Sequence, residues 1–480
     1  MKYGWLIVAI FAARFLVVAV AYLQADGDLS WQRWLGGQIA RTGAIPQTLG
    51  WETFTAPGAH WVPQEWLFAL AAHAGREGLG WDLFSGAVAL CAIVALALSA
   101  MRAEARGASP KAIALCSAFA GIALFESFGV RAQVVAWPLL VAYLALFDRE
   151  DRFAWFAVLV AAAWSNLHAS AALAPALAFA MTLGALVDDR ALTRRVVRKA
   201  GIAFASLVAI CCNPFGYHLP EYAVTLLRSP IKANILEWKA TGLDDASFLY
   251  GAFALVLIAL AVGSIHRPGA RKVQTADAML FAIFLALMFS AARNIAIFAL
   301  VALPAVAAAL TDRVPWFRAA PVSHDRAERI ARIALPSFAI LVAIVVAVGL
   351  LRAQPRSNDA LARSALAALE REPGEHRVLC NDFAYCGLLV GVKGQRVFLD
   401  GRADPYPKAV WDDFVEIVRL RPAWRATLDE RGVNAVVADK GLPLDEALAQ
   451  TPGWRSAFGD SHYRLWLRDR FAVRSFERGI

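Results

Sequence analysis

The chain has 480 residues, of which 59% are hydrophobic, and its formal net charge at pH 7 is +9. A soluble domain of this size does not need so much apolar sequence, so the composition excludes a soluble globular enzyme and indicates a polytopic membrane protein. The positive charge lies in short loops between apolar runs, and this placement argues against nucleic acid as a partner.

Apolar runs along the chain predict a mainly α-helical bundle embedded in a membrane. A helix needs about 20 apolar residues to cross the bilayer core, with a range of roughly 17–25. The runs predicted to span, eleven in all, are 4–23, 82–100, 112–126, 132–147, 153–165, 170–187, 200–212, 248–265, 276–291, 295–310 and 333–351. The first run has no small-residue cleavage site, so we interpret it as a retained helix and not as a cleaved signal peptide.

The basic residues predict the orientation of this bundle. The loops between the predicted spans alternate between the two sides of the membrane, and the loops of one side contain 18 Lys or Arg residues, whereas the longer loops of the other side contain 8. The loops of the basic side are 101–111, 148–152, 188–199, 266–275 and 311–332. The positive-inside rule assigns these loops to the cytoplasm. The loop 24–81 and everything after residue 351 are then extracytoplasmic.

The C-terminal segment predicts a small soluble α/β domain at 352–480, which follows a transmembrane domain at 1–351. Short apolar runs typical of strands alternate there with helical patterns. The predicted strands are 376–381, 396–400, 434–439 and 462–468, and the predicted helices are 358–371, 408–420 and 443–450.

Two features of this domain leave alternatives open. Cys380 and Cys386 could pair if the domain is outside the cytosol, but their spacing is permissive and not specific. A polar cluster at the end of a predicted strand is either a binding loop or a turn held by an Asp–Arg pair. This cluster consists of Asp400, Arg402, Asp404 and Tyr406.

The first extracytoplasmic loop, 24–81, contains the main candidates for catalysis. Asp26 and Asp28 lie just outside the first span, where one carboxylate can activate a hydroxyl or amine acceptor as a general base. Together with Glu52 they could instead bind a divalent metal, with His60 as a further ligand. Asp28 could also cap the helix that follows it. The sequence leaves metal dependence open.

A second group of polar residues lies in turns on the predicted outer face. Arg131, His168 and Arg293 would suit a lipid-linked phosphate, because Arg can bind phosphate through two parallel hydrogen bonds and His adds a titratable donor. The alternatives are snorkelling of arginine to the headgroups and helix capping by asparagines such as Asn294. Glu237 could close over the same site or lie on the surface.

Tryptophans accompany the carboxylates of the first loop. Trp61 is one of several, and a tryptophan at the membrane boundary is an expected anchor. Stacking of a sugar ring on the indole is the alternative, and it would make Trp61 a substrate-binding residue.

Several short motifs are distributed along the chain. They are GGxIARTGxIP and WVPQEWL in the first loop, NPFG at 213–216, ARN at 292–294, and NDFxYCG and VFLDGRADPY in the C-terminal segment. With one span followed by an acidic outward loop, this order resembles bacterial GT-C-type glycosyltransferases, which are relatives of protein O-mannosyltransferases and the aminoarabinose lipid A transferase. The resemblance implies a catalytic Asp in the first loop, best matched by Asp28, with Asp26 as the competitor.

The resemblance also implies a reaction. The donor would be a sugar on a polyprenyl phosphate or diphosphate, and the acceptor an envelope glycan, lipid or protein. Asp28 would assist an inverting-type attack, while Arg131, His168 and Arg293 would hold the phosphate leaving group. The remaining predicted substrate-binding residues are Asn294, Glu52, His60, Trp61 and Glu237. The resemblance implies no cofactor other than a divalent metal, and the sequence leaves dependence on that metal open.

Two other functions compete with this one. A transporter or flippase of lipid-linked substrates would favour repeated halves with broken helices, and the sequence has no internal repeat. A non-catalytic envelope assembly protein would use its C-terminal domain to bind a partner. The sequence lacks a Walker loop, a dinucleotide glycine fingerprint, a paired CxxC and a GxSxG motif, so an ATP-driven mechanism is unsupported.

Overall fold

The computed structural model describes residues 10–15, 27–229, 231, 234–242, 251–265, 270, 272–318 and 358–469. Contacts divide the chain into two compact units, which we call the helical unit and the mixed unit. The helical unit is Met1–Val20 with Asp82–Ala353, and the mixed unit is Ala21–Trp81 with Gln354–Ile480. Asp26, most of the predicted span 4–23, the predicted span 333–351 and the predicted domain boundary at residue 351 lie outside the described residues.

Mostly apolar α-helices make up the described part of the helical unit. Its described helices are Trp81–Ala105, Pro110–Glu126, Ala132–Asp148, Phe156–Ser165, Leu173–Asp189, Arg194–Ala209, His218–Arg228, Phe253–Gly263, Thr275–Ser290 and Ile295–Arg313. Within the described residues, the segments long and apolar enough to cross a membrane are Leu83–Ala105, Ala169–Asp189 and Ala292–Arg313. The mainly helical fold is therefore confirmed, whereas the count of eleven spans stays a prediction.

Helix boundaries in this unit follow local sequence signals. Ser109 accepts a hydrogen bond from the backbone N–H of Ala112 at 3.3 Å, and Pro110 follows it at the first helical position. A hydroxyl cap followed by proline is a strong signal for the start of a helix. The hydroxyl accepts a hydrogen bond from an N–H group that the first turn leaves unpaired, and proline has no such N–H group. Thr193 caps the helix Arg194–Ala209 with its hydroxyl, which accepts a hydrogen bond from the backbone N–H of Val196.

Small residues allow these helices to approach closely. A methyl group added to Gly184 would lie 2.5 Å from the backbone nitrogen of Ala276, and one added to Gly121 would lie 2.5 Å from the ring of Phe11. Close contacts at small residues are typical of helices in membranes, where packing replaces the hydrophobic effect as the force between helices. Large buried side chains such as Phe298 fill the remaining space.

A five-stranded sheet and six described helices form the mixed unit. The strands are β1 (His376–Cys380), β2 (Gln395–Val397), β3 (Ala435–Asp439), β4 (Trp454–Gly459) and β5 (Tyr463–Arg468). Their spatial order is β2-β1-β3-β5-β4, with β1 parallel to β2 and β3, and β5 antiparallel to β3 and β4. The helices are Gly27–Thr42, Trp66–Ala74, Asn358–Arg371, Lys408–Val418, Trp424–Glu430 and Pro443–Ala449.

The predicted α/β character of the C-terminal segment is confirmed. Each of the four predicted strands and three predicted helices has a counterpart within a few residues. The strand β4 and the helix Trp424–Glu430 were not predicted. β4 lies at the edge of the sheet and has no buried residue, so it lacks the alternation that identifies a half-buried strand. Cys380 and Cys386 form a disulfide, with their Cα atoms 5.8 Å apart.

The first loop extends this sheet. The backbone N–H of Val397 in β2 donates to the carbonyl of Glu52 at 2.8 Å, and the hydroxyl of Thr53 donates to the carbonyl of Val397 at 3.1 Å. The guanidinium of Arg396 donates to the carbonyls of Trp51 and Thr53 at 3.0 and 3.2 Å. Since β2 is an edge strand, its unpaired backbone groups are available to an added segment. The loop is thus held to the C-terminal segment by backbone pairing.

Candidate active site

Two arginines in the helical unit share one carboxylate. Arg131 immediately precedes the helix Ala132–Asp148, whereas Arg293 and Glu237 each lie in a short 3-10 helix. Arg131 Nη1 is 2.9 Å from Glu237 Oε2, and Arg293 Nη1 is 3.4 Å from Glu237 Oε1. We call these three residues the arginine cluster. The structure therefore brings together Arg131 and Arg293, which were predicted as one group, and Glu237, for which a surface position was the alternative.

Neighbouring groups fix the position of Arg293. Its Nη2 donates to Oε1 of Gln133 at 2.7 Å, and Nε2 of Gln133 donates to the carbonyl of Arg293 at 3.2 Å. The guanidinium carbon lies 4.4 Å from the ring centroid of Trp238. The backbone N–H of Ala292 donates to the carbonyl of Lys239 at 3.0 Å, so the two turns are tied to each other. The arginine cluster is therefore preorganised.

The arginine cluster is charged and accessible. The exposed fraction of the side chain is 39% for Arg131, 37% for Glu237 and 17% for Arg293. Burial raises the pKa of Glu237, but the charges of Arg293 and Arg131 outweigh this effect and hold the pKa below its ordinary value. Glu237 is thus ionised at neutral pH. Because the ion pairs are not fully buried, breaking them would not leave a dry, unpaired charge behind.

His168 is buried, with its ring tied to the turn that follows it. The Nδ1 atom accepts the backbone N–H of Ser170 at 3.0 Å and lies 2.7 Å from the hydroxyl of the same residue. Burial lowers the pKa of His168 to about 3, and the charge of Arg293 acts in the same direction. The imidazole is therefore neutral at physiological pH and offers a hydrogen bond but no positive charge.

Asn294 has a local structural contact. Its Nδ2 donates to the carbonyl of Leu287 at 2.8 Å, across the turn between two helices. This geometry agrees with the capping alternative, in which an asparagine satisfies a carbonyl that the helix end leaves unpaired. Its predicted contact with substrate stays a prediction.

Arg402 is the centre of a buried ionic network in the mixed unit. Its Nη1 donates to Glu52 Oε1 at 2.7 Å, and its Nε and Nη2 donate to the two oxygens of Asp400 at 2.9 and 2.7 Å. The hydroxyl of Tyr406 donates to Asp400 Oδ2 at 2.7 Å. We call these four residues the buried network. Of the two interpretations of the cluster at 400–406, the structure supports the turn held by an Asp–Arg pair.

The buried network is electrostatically fixed. The side chains of Arg402 and Asp400 are fully buried, and that of Glu52 is 2% exposed. Burial alone would lower the pKa of Arg402, but Asp400, Tyr406 and Glu52 raise it well above its ordinary value. Burial and the charge of Asp400 raise the pKa of Tyr406 well above its ordinary value. Arg402 and Tyr406 therefore keep their protons at neutral pH, which suits structural support better than proton transfer.

Asp28 lies in the first turn of the helix Gly27–Thr42. Its Oδ1 accepts a hydrogen bond from Nε1 of Trp31 at 3.1 Å. The carboxylate also packs directly on Gly401, because a methyl group at that glycine would overlap Asp28 Oδ1. The predicted base is thus half-buried and oriented by neighbours from both segments of the mixed unit.

Trp61 and His60 are adjacent in sequence but differ in surroundings. Trp61 is 3% exposed, and its ring lies 5.0 Å from the guanidinium carbon of Arg402 and 6.1 Å, edge-on, from the ring of Trp31. His60 is exposed and forms an isolated backbone bridge with Thr48. Trp61 therefore packs within the protein, and a sugar-stacking role for it stays a prediction.

A metal site has no support among the residues that the structure describes, where no three His, Cys, Asp or Glu side chains are placed to hold an ion. Glu52, a predicted ligand, directs Oε1 at Arg402 and at the backbone N–H of Gly50, at 2.7 and 3.0 Å. Asp26, the other predicted ligand beside Asp28, lies outside the described residues. Metal dependence therefore stays open.

Two contacts of these sites were not predicted from the sequence. Gln133 lies two residues after the predicted site residue Arg131, so its position next to a candidate was the available signal. The pairing of Arg402 with Glu52 joins positions 350 residues apart. No local pattern in a single sequence predicts a contact over such a separation.

Comparisons with solved structures identify the fold. The archaeal oligosaccharyltransferase AglB from Archaeoglobus fulgidus, in complex with an inhibitory peptide and a dolichol-phosphate, has a TM-score of 0.57 and 11% identity over 91% of this chain and 69% of that chain. ArnT from Cupriavidus metallidurans bound to undecaprenyl phosphate has a TM-score of 0.51 and 14% identity over 97% and 98%. In the apo state the same ArnT has a TM-score of 0.53 and 15% identity over 96% and 97%.

These likenesses confirm, at the level of the fold, the resemblance to GT-C-type proteins that the sequence motifs suggested. Searches with family models and against curated proteins find no match to the chain. The low identities mean that the fold is shared while the residues of the site are not carried over by alignment.

Proposed function

We propose that the chain is a membrane glycosyltransferase that moves a sugar from a polyprenyl-phosphate-linked donor to an acceptor of the cell envelope. The observation that carries this proposal is the shared fold. The chain covers almost all of an ArnT bound to undecaprenyl phosphate and over two thirds of an oligosaccharyltransferase in complex with a dolichol-phosphate. A phosphorylated polyprenyl lipid is common to both structures, so a lipid-linked donor is the part of the reaction with the firmest support.

The arginine cluster supports a site for the phosphate of that donor. Two guanidinium groups offer planar, forked donors that match phosphate oxygens. Gln133 and Trp238 already hold Arg293, so little side-chain entropy is lost on binding. In the proposed complex the phosphate replaces Glu237 as the partner of both arginines. The cluster then stabilises the negative charge that grows on the phosphate as the glycosidic bond breaks.

Asp28 is the proposed general base. Its carboxylate takes the proton of an acceptor hydroxyl or amine, whose lone pair then forms a bond to the anomeric carbon of the sugar. The bond from this carbon to the phosphate oxygen breaks, and the lipid phosphate leaves with the electron pair. Attack from the side opposite the leaving group inverts the configuration at the anomeric carbon. The hydrogen bond from Trp31 supports this role because it fixes one carboxylate oxygen.

The reaction is proposed to take place on the extracytoplasmic face of the inner membrane. The disulfide between Cys380 and Cys386 supports an oxidising compartment for the mixed unit, because cytosolic thiols are kept reduced. Lys and Arg are concentrated in the loops on the opposite side of the predicted bundle, and the positive-inside rule assigns that side to the cytoplasm. This also favours an extracytoplasmic position for the mixed unit.

A complementation experiment tests the proposal. Envelope glycans and lipids of a deletion strain are compared by mass spectrometry after expression of wild type, Asp28→Asn, Asp26→Asn or the double variant Arg131→Ala/Arg293→Ala. We expect one sugar modification to be restored by wild type and lost with Asp28→Asn and with the double variant. Full restoration by both aspartate variants would contradict an acid–base role of the first loop. Loss with the double variant alone would point to a transporter of lipid-linked substrates.

A further inference from the structure

The proposed base is in direct contact with the C-terminal segment. Gly401 lies against Asp28 so closely that an added methyl group would overlap Oδ1 and lie 3.2 Å from Nε1 of Trp31. Gly391, from the same segment, packs on the ring of Trp34, which belongs to the same helix as Asp28. The helix that contains Asp28 therefore packs against two glycines of the C-terminal segment.

A second route to Asp28 passes through aromatic rings. The guanidinium carbon of Arg402 lies 5.7 Å from the ring centroid of Trp34 and 5.0 Å from that of Trp61. The ring of Trp61 contacts the edge of Trp31 at 6.1 Å, and Trp31 donates its indole hydrogen to Asp28. A cation within about 6 Å of an aromatic face is attracted to it, and more strongly when water is excluded. Arg402 is thus connected to the carboxylate of Asp28 through the rings of Trp61 and Trp31.

The charges of the buried network fix Arg402 between two segments of the chain. Asp400 comes from the same turn, whereas Glu52 comes from the first loop, and both side chains are buried. A buried cation that loses one of its carboxylates leaves an uncompensated charge, so the pairing cannot loosen at low cost. The buried ion pair between Glu52 and Arg402 therefore holds the first loop against the turn that contains Gly401.

We infer that Arg402 is a positioning residue for Asp28, and that the C-terminal segment sets the orientation of the proposed base through Arg402 and Gly401. The inference rests on the proposed role of Asp28. It gives the C-terminal segment a role in the transfer step itself, in addition to any partner that it binds. Catalytic groups that are misplaced by about 1 Å can lose about 100-fold in rate, so contacts of this kind have measurable consequences.

The test uses full-length variants in membranes of a deletion strain, which supply the endogenous donor and acceptor. Gly401→Ala pushes on Asp28, and Gly459→Ala is its matched control, because a methyl group there meets its nearest neighbour, Nε of Arg464, at an ordinary 3.8 Å. Glu52→Gln keeps an oxygen that accepts from Arg402, whereas Glu52→Ala removes it. Transfer rate, its pH profile, thermal unfolding and binding of undecaprenyl phosphate are measured for each variant.

We expect Gly401→Ala to reduce kcat by about 10- to 100-fold with little change in KM for the lipid donor, and to shift the pH profile of the rate. Gly459→Ala should match wild type, and Glu52→Gln should retain much more transfer than Glu52→Ala. Affinity for undecaprenyl phosphate should stay within about twofold in all folded variants. If Gly401→Ala does not fold, the comparison of Glu52→Gln with Glu52→Ala tests the positioning role, and equal transfer rates of these two variants would contradict it.

Two results separate this inference from the function on which it rests. Wild-type kcat in Gly401→Ala and in Glu52→Ala, together with an inactive Asp28→Asn, would overturn the positioning role and leave the proposed function intact. An active Asp28→Asn would instead remove Asp28 as the base, and the positioning role would fail with it.

Discussion

Both units of the chain pair arginine with carboxylates, but in different surroundings. In the buried network, Arg402 and Asp400 have no exposed side-chain surface. In the arginine cluster, Arg131 and Glu237 are 39% and 37% exposed. Residue types alone therefore do not distinguish a structural ion pair from a proposed ligand site. Burial makes the first pair costly to break, whereas partial exposure makes the second exchangeable.

The largest expected effect is a loss of folding stability when the buried network is broken. Arg402→Met leaves Asp400 and Glu52 buried without their cation, and the expected loss in free energy of unfolding is about 3–5 kcal/mol. Thermal unfolding of the full-length protein in detergent measures this loss. Lys408→Met removes an exposed pair with Asp412 and is the control, with little expected change. Equal unfolding temperatures for wild type and Arg402→Met would show that the network does not stabilise the fold.

A smaller effect, on binding and not on folding, is expected for the arginine cluster. Arg293→Ala removes charge-assisted hydrogen bonds of about 1.5–3 kcal/mol, which corresponds to a loss of about 10- to 100-fold in affinity for undecaprenyl phosphate. The unfolding temperature should change little. Arg149→Ala, which removes an exposed pair with Asp151, is the control. An unchanged dissociation constant for Arg293→Ala would mean that the phosphate binds elsewhere.

The smallest expected effect concerns pH and His168. Its pKa in the folded chain, about 3, lies below the ordinary value, so the neutral ring stabilises the fold above pH 6.5. This contribution is lost as the pH falls from there towards 3, because the unfolded chain takes up the proton first. Between pH 7 and pH 6 the expected loss is less than about 1 kcal/mol. Thermal unfolding of wild type should therefore depend on pH more than that of His168→Gln, and identical slopes would contradict a buried neutral histidine.

Much of the fold was predictable because it depends on local patterns. Apolar runs mark the helices of the helical unit, and β1 and β3 stand out as short runs of buried Val, Leu and Ala. β4 was missed because an exposed edge strand carries no periodic signal. The added segment at Glu52–Thr53 was missed for a different reason. Its partner in β2 lies more than 340 residues away, and pairing of that kind depends on the tertiary fold.

The candidate site was predictable only in part. Polar residues at helix ends in an apolar chain stand out, and Arg131 and Arg293 were identified in this way, whereas Glu237 was a loop residue that could also lie on the surface. Which of them share a partner depends on how the helices pack. Glu52 stood out for the same reason, as an acidic residue in the first loop, but its carboxylate is occupied by Arg402. Charge and position identify candidates, and burial then separates binding groups from structural ones.

The use of a lipid-linked sugar donor is the step on which the proposed function depends, and it can be measured in cells. Polyprenyl-linked sugars are quantified by mass spectrometry in a deletion strain that carries an empty vector, wild type or Asp28→Asn. We expect an unused sugar-polyprenyl phosphate to accumulate with the empty vector and with Asp28→Asn, while the matching envelope product disappears. Loss of the envelope product without accumulation of any lipid-linked sugar would contradict the use of such a donor.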